Sequence, residues 1–197
     1  MKVSLKKVFM SLFACILFTV SMISSITVSA ACQPKLYLLA NNKQTYTAKP
    51  GETVTITYNV DAPDLTWCAT GVHINYDKRL ITKLNRFGEF DCTKGPVAEY
   101  LMLMTATAEA GTVIQGSKLP DNLNTLFVTT AGSGDYNYGS GTVLSFDVTV
   151  PSNAKSGDKF PIEFWFIKTD IFTDIKSDKA TQEYAFANAK NCSIVIK

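Results

Sequence analysis

The chain has 197 residues, with 19 Lys and Arg against 17 Asp and Glu, one histidine and five cysteines. It is long enough for one domain with a real core. It is also too evenly charged to carry the basic footprint of a nucleic-acid binder or of a protein drawn to anionic membranes. The single histidine, His73, argues against a histidine-rich metal site and leaves any Ser-His-Asp triad resting on one residue without a nucleophile-elbow motif around it.

The N-terminus reads as an export signal. Lys2, Lys6 and Lys7 precede an apolar run from Val8 to Val20, and small residues lead to Val28-Ser29-Ala30. These are the n-region, h-region and cleavage site of a secretory signal over residues 1–30. Cleavage is expected after Ala30, with Ala31 as second choice. The alternatives are an uncleaved anchor over about residues 8–28 and a lipidated Cys32, for which Ser29 is a poor lipobox residue. Losing the three lysines leaves 16 basic residues against 17 acidic ones. The mature chain, about 165 residues from 31 to 197, is therefore near neutral.

Cys15 belongs to the signal, so Cys32, Cys68, Cys92 and Cys192 remain. Four cysteines in an exported domain permit two disulfides. Because Cys32 and Cys192 sit at the two ends of the domain, 32–192 with 68–92 is the preferred pairing; buried thiols are the alternative. No CxxC is present, and no metal ligation or cofactor is expected.

Short strands fill the rest. Lys35–Asn41 is a first strand. Lys49-Pro50-Gly51-Glu52 forms a turn. Thr53–Val60 places Val54, Ile56, Tyr58 and Val60 on one face in strict alternation. Gly71–Asp77 alternates likewise, with Val72, Ile74 and Tyr76 inward. Ile81–Asn85 is a short edge strand. Tyr100–Thr105 and Thr125–Thr129 are apolar runs separated by a long loop, about 106–124. A Gly/Ser-rich loop at Ala131–Gly141 precedes the alternating strand Thr142–Val150. Pro151–Asp158 is a turn, Pro161–Lys168 an apolar strand, and Lys179–Ala189 the one stretch with helical character. Cys192–Ile196 closes the sheet. Gly/Pro-punctuated short strands predict an all-β sandwich or jelly roll.

Several segments, in order, carry a family resemblance: Lys49-Pro50-Gly51-Glu52-Thr53-Val54-Thr55-Ile56, then Gly71-Val72-His73-Ile74-Asn75-Tyr76-Asp77-Lys78-Arg79-Leu80, then Gly141-Thr142-Val143-Leu144-Ser145-Phe146-Asp147-Val148, Ala154-Lys155-Ser156-Gly157-Asp158, and Phe172-Thr173-Asp174. Spread over about Lys35–Lys197, they resemble a cohesin domain of a cellulosome scaffoldin, in a divergent subtype. Lys78 stands where the commoner pattern has proline, and the cysteines are not general in the family. The resemblance implies a nine-stranded jelly-roll β-sandwich with no catalytic residues and no cofactor of its own. It also implies a dockerin partner, a two-helix module that carries the calcium and docks on the face built by strands 3, 5, 6 and 8.

The residues support a binding face independently. Leu101-Met102-Leu103-Met104 and Phe164-Trp165-Phe166-Ile167 do not alternate, and an apolar strand without a polar side must be covered on both faces. Either a partner covers the outer face, or the 106–124 loop or the 170–190 segment folds over it. Methionine suits an adaptable surface and aromatics suit anchors. The expected contacts are Gly71, His73 and Asn75, with Ala69 beside them. The next strand adds Leu101/Leu103 or Met102/Met104, and the third adds Leu126 and Val128 or Thr125, Phe127 and Thr129. Glu163, Trp165 and Ile167 complete the face, with His73 read as an exposed sheet-face histidine. A carbohydrate-binding module or surface adhesin is the alternative, with Trp67, Trp165, Tyr136 and Tyr138 as stacking residues. Hydrolysis would need a carboxylate pair such as Asp170/Asp174 or Glu89/Asp91, for which solvated loop charges are the simpler account.

Overall fold

Alternation builds the first sheet. In β3 (Thr53–Asp61), Val54, Ile56, Tyr58 and Val60 are fully buried, while Thr53 and Thr55 face water. β3 is hydrogen-bonded antiparallel between β1 (Lys35–Ala40) and β11 (Gly141–Thr149). The β3–β11 register slips between Thr142 and Leu144, so Val143 and Leu144 are both buried. Two short strands, β5 (Ile81–Thr82) and β6 (Cys92–Lys94), both pair with the far edge of β11. These relations come from a computed structural model, which describes residues 33–63, 67–132, 139–174 and 179–197. The expected signal segment, Cys32, Tyr136 and Tyr138 lie outside the described residues. The chain divides into two units, Met1–Ala31 and Cys32–Lys197, and both sheets of the sandwich belong to the second.

The second sheet runs β2 (Thr45–Ala48), β14 (Cys192–Ile196), β12 (Lys159–Phe164), β4 (Trp67–Asp77), β10 (Leu123–Ala131), β7 (Met102–Ala108). β13 (Ile171–Asp174) pairs with β4 beyond the end of β12. All pairings here are antiparallel except β2 with β14. A separate hairpin, β8 (Val113–Ile114) with β9 (Ser117–Lys118), occupies what the sequence reads as a plain loop. The expected nine strands are recovered when the broken pairs β5/β6 and β12/β13 each count once and β2 and the hairpin are set aside. The α-helix α1 (Lys179–Ala187) packs against β13 and β1.

The sheets close on a single core. The Tyr58 hydroxyl meets Thr70 Oγ1 at 2.9 Å inside the sandwich, so its buried polar tip is satisfied. Phe90 packs edge-on to Phe146, and Trp67 lies against Phe172. Phe186 of α1 stacks on Phe166, and Phe166 on Phe164. The helix therefore covers part of the apolar Phe164–Ile167 run. Each fully buried aliphatic side chain here contributes about 1.5–3 kcal/mol.

The expected 68–92 disulfide is not formed: Cys68, Cys92 and Cys192 are thiols. Cys68 is at the start of β4, where its Sγ lies 3.7 Å from the Thr173 carbonyl. Cys92 is on the other sheet opposite Phe146, beside Phe90, which packs on Tyr76 at the far end of β4. Eight residues of strand separate these ends, about 26 Å at the usual rise, far beyond the span of a disulfide. Cys192 belongs to the core, and burial pushes its thiol up to about 12. Its expected partner Cys32 is outside the described residues.

Candidate interaction face

The register of the second sheet fixes which side chains share its outer surface. Residues directly opposite in an antiparallel ladder point to the same side. Gly71, His73 and Asn75 of β4 stand opposite Thr129, Phe127 and Thr125 of β10. Those three in turn stand opposite Met104, Ala106 and Ala108 of β7, and Ala131 opposite Met102. Glu163 of β12 lies opposite Asn75. One surface therefore carries Met102, Met104, Phe127, Thr129 and Glu163. Trp165 joins it, its N–H bonded to the His73 carbonyl.

Met102 and Met104 are 61% and 57% exposed, and Ile171 on β13 is 39% exposed. Beneath Ile171, a Cβ on Gly71 would meet its Cγ1 at 3.3 Å and the Phe127 ring at 3.5 Å. Glycine thus lets two apolar side chains close over the centre of β4. The result is a mixed apolar plateau with Glu163 exposed at one side.

Under the plateau lies a buried polar pair. His73 is 4% exposed and Asp170 2% exposed. His73 Nδ1 is 2.8 Å from Asp170 Oδ1, and the His73 backbone N–H donates to Asp170 Oδ2 at 3.2 Å. The pairing of β4 explains the arrangement. Phe164 faces Ile74 and Ile171 faces Gly71, so the chain leaves the ladder in between. The Asp170 carboxylate supplies the acceptor that the missing strand would have offered. The imidazole is held between Phe127, with centroids 4.7 Å apart, and Trp165 at 5.7 Å.

A cavity of about 310 Å³ opens beside this pair. His73, Thr125, Phe127, Ala106 and Ala108 line it from the sheet, and Ile114 and Gln115 line it from the β8–β9 hairpin. The hairpin turns on Gln115 (φ 49°) and Gly116 (φ 81°), the positive-φ pair that a two-residue turn demands. Fully buried Leu119, whose N–H bonds to the Thr112 carbonyl, anchors it. Among the described residues, no group of three or more His, Cys, Asp or Glu side chains is placed to hold a metal ion.

No protein-family model matches the chain, and no curated protein matches it. Solved structures do. A type III cohesin module from the ScaE cell-surface anchoring scaffoldin of Ruminococcus flavefaciens superposes with TM-score 0.64 at 24% identity, covering 88% of this chain and 93% of that one. The fold is that of a cohesin module. The sixth cohesin of Acetivibrio cellulolyticus scaffoldin B, solved with a Cel5 dockerin mutant, gives TM-score 0.56 at 14% identity over 83% of this chain and 99% of its own. The OlpA cohesin of Clostridium thermocellum, solved with a dockerin, gives 0.54 at 13% identity over 84% and 99%.

On this cohesin fold the expected face residues divide. Gly71, Met102, Met104, Phe127, Glu163 and Trp165 share the outer surface, as do Thr129 and Ala106. Leu126 and Val128 do not: both are fully buried and point into the core, because the alternate set Thr125, Phe127, Thr129 faces outward. Leu101 is buried and Leu103 packs against the core, so the methionines are the outward pair on β7. Ile167 lies past the end of β12 and is buried, not displayed. His73 and Asn75 are on the outer side of β4 but covered, which corrects the reading of His73 as exposed.

The sugar-stacking set loses Trp67, which is fully buried with its indole N–H given to the Gly139 carbonyl. Asp170 is not a solvated loop charge but the partner of His73. Sequence reasoning missed that role, and nothing local signals it, since 97 residues separate the two.

Proposed function

We propose that this chain is an exported, non-catalytic receptor module that binds a dockerin-bearing protein through the outer face of β12, β4, β10 and β7. One observation carries the proposal: Met102 and Met104 stand more than half exposed on the same sheet face as Trp165, Ile171 and Phe127, while the other side of the sheet packs into the core. Uncovered methionines and aromatics clustered on a flat sheet face are the composition of a protein-binding surface. The cohesin fold agrees with it, since two of the superposed structures are cohesins in complex with dockerins. The signal-like residues 1–30 support an extracellular or cell-surface setting, and calcium belongs to the dockerin.

A hydrolytic reading gains no support at His73. The cavity lining has no Ser or Cys; of its threonines, Thr125 turns its hydroxyl to the Ile74 carbonyl, and neither Thr107 nor Thr169 is hydrogen-bonded to the His73 ring among the described contacts.

The experiment is calorimetry of the mature domain against a panel of calcium-loaded dockerins. Tight one-to-one binding by at least one of them, reduced about 30-fold or more in Met104→Asp, is the expected result for a central anchor. Binding of a soluble β-glucan with no dockerin response would replace this reading with a carbohydrate-binding one.

A further inference from the structure

The docking reading leaves the cavity over His73 unexplained. Its walls are apolar, from Ala106, Ala108 and Phe127, and its floor is polar. An ionised carboxylate only accepts, so the 2.8 Å contact with Asp170 uses a proton on His73 Nδ1. That leaves Nε2 as the remaining polar atom of the ring, an acceptor while the imidazole is neutral. That open position asks for a donor. No Lys or Arg lines the cavity, and the side-chain contact of Asp170 among the described residues is with the His73 ring. With a neutral ring, the pair carries one uncompensated negative charge.

We infer that this cavity is the specificity pocket of the docking face and receives a basic side chain of the partner, of the lysine kind. The apolar stem lies along Ala106, Ala108 and Phe127, and the charged tip donates to His73 Nε2 above the Asp170 carboxylate. Phe127 also offers its ring to a cation. The inference rests on the docking reading and adds to it the chemistry of one contact.

Few other charges face His73. β10 and β7 present Thr125, Phe127, Ala106 and Ala108, and the hairpin presents Gln115. β13 presents Ile171. The titratable neighbours are Glu163 on β12, which is exposed, and Lys168 in the following loop, also exposed. Asp77 on β4 is held by Arg79, and Lys118 on the hairpin by Asp121.

The test titrates a calcium-loaded dockerin that binds the wild type into four proteins: wild type, Ala106→Lys, Ala106→Trp and Met104→Asp. Ala106 is exposed, so tryptophan there blocks the cavity without entering the core; melting curves check that every variant folds. Ala106→Lys, which brings a like charge to the pocket, should lose about tenfold or more in affinity. Ala106→Trp should lose about 30-fold at neutral pH. If Met104→Asp abolishes binding while Ala106→Trp binds like the wild type, the docking reading stands and the pocket inference fails. Ala106→Lys binding more tightly than the wild type would show an acidic tip and also refute it. If none of the substitutions matters, the docking reading falls and this inference with it.

Discussion

Asp170→Ala tests how the face is held together. The Asp170 side chain is fully buried and takes two hydrogen bonds, one from the His73 ring at 2.8 Å and one from the His73 backbone at 3.2 Å. Truncation strands two donors in a buried site. An unsatisfied buried donor costs about 1–3 kcal/mol. Two give about 2–6 kcal/mol, reduced because an expensive buried carboxylate goes as well. We expect a loss of about 3 kcal/mol, a large share of the ~5–15 kcal/mol typical of a domain. Asp170→Asn keeps one acceptor oxygen and should lose about half as much. The assay is urea unfolding followed by tryptophan emission, with Tm as a check. For a domain of this size Tm should fall by about 6–12 °C in the alanine variant. The reasoning also predicts faster hydrogen exchange of the His73 amide, whose acceptor is gone. An alanine variant within about 0.5 kcal/mol of wild type would refute it, by showing that water satisfies both donors.

Leu126→Ala should cost about 2–5 kcal/mol and Met104→Ala less than about 0.5 kcal/mol, because adjacent strand positions point to opposite faces; equal losses in denaturant melts would contradict the assignment. Cys192 should resist alkylation in the native state and react on unfolding, as quantified by intact mass. Its thiol is raised to about 12 against about 8.5 in an unfolded chain. The neutral form is favoured by folding, so its contribution is complete below the unfolded value and is lost as pH climbs toward 12; stability flat across that alkaline window would contradict it. Gly95→Ala should destabilise by about 2 kcal/mol or more, because a Cβ there collides with the Thr142 carbonyl where Gly95 N–H bonds to Val143; an unchanged melting point would argue against it.

Much of the fold was legible. Val54, Ile56, Tyr58 and Val60 announce their strand by period two, and Cys192–Ile196 is found as expected, because alternation follows from the covalent geometry of an extended chain. The turn at Lys49–Glu52 is equally local: Gly51 takes φ 77°, and the Glu52 carboxylate accepts from Lys49 N–H and the Tyr46 hydroxyl, which holds it below the usual range. The presence of a sheet face with unusual apolar content was legible too, from two runs that do not alternate.

Which of the alternate residue sets on β7 and β10 form that face was not. In Leu101-Met102-Leu103-Met104 either set satisfies the pattern, and only the pairing of Thr129 with Met104 puts the methionines outside. The same register sends Leu126 and Val128 inward. The burial of His73 depends on the chain leaving the ladder after Trp165 and returning at Ile171, so that Asp170 fills the gap. The separation of Cys68 from Cys92 depends on which sheet each strand joins. The sequence by itself determined the strands, their alternation and the sandwich class. The tertiary structure decided which side of each strand meets water, because that choice is made by neighbouring strands far away in the chain.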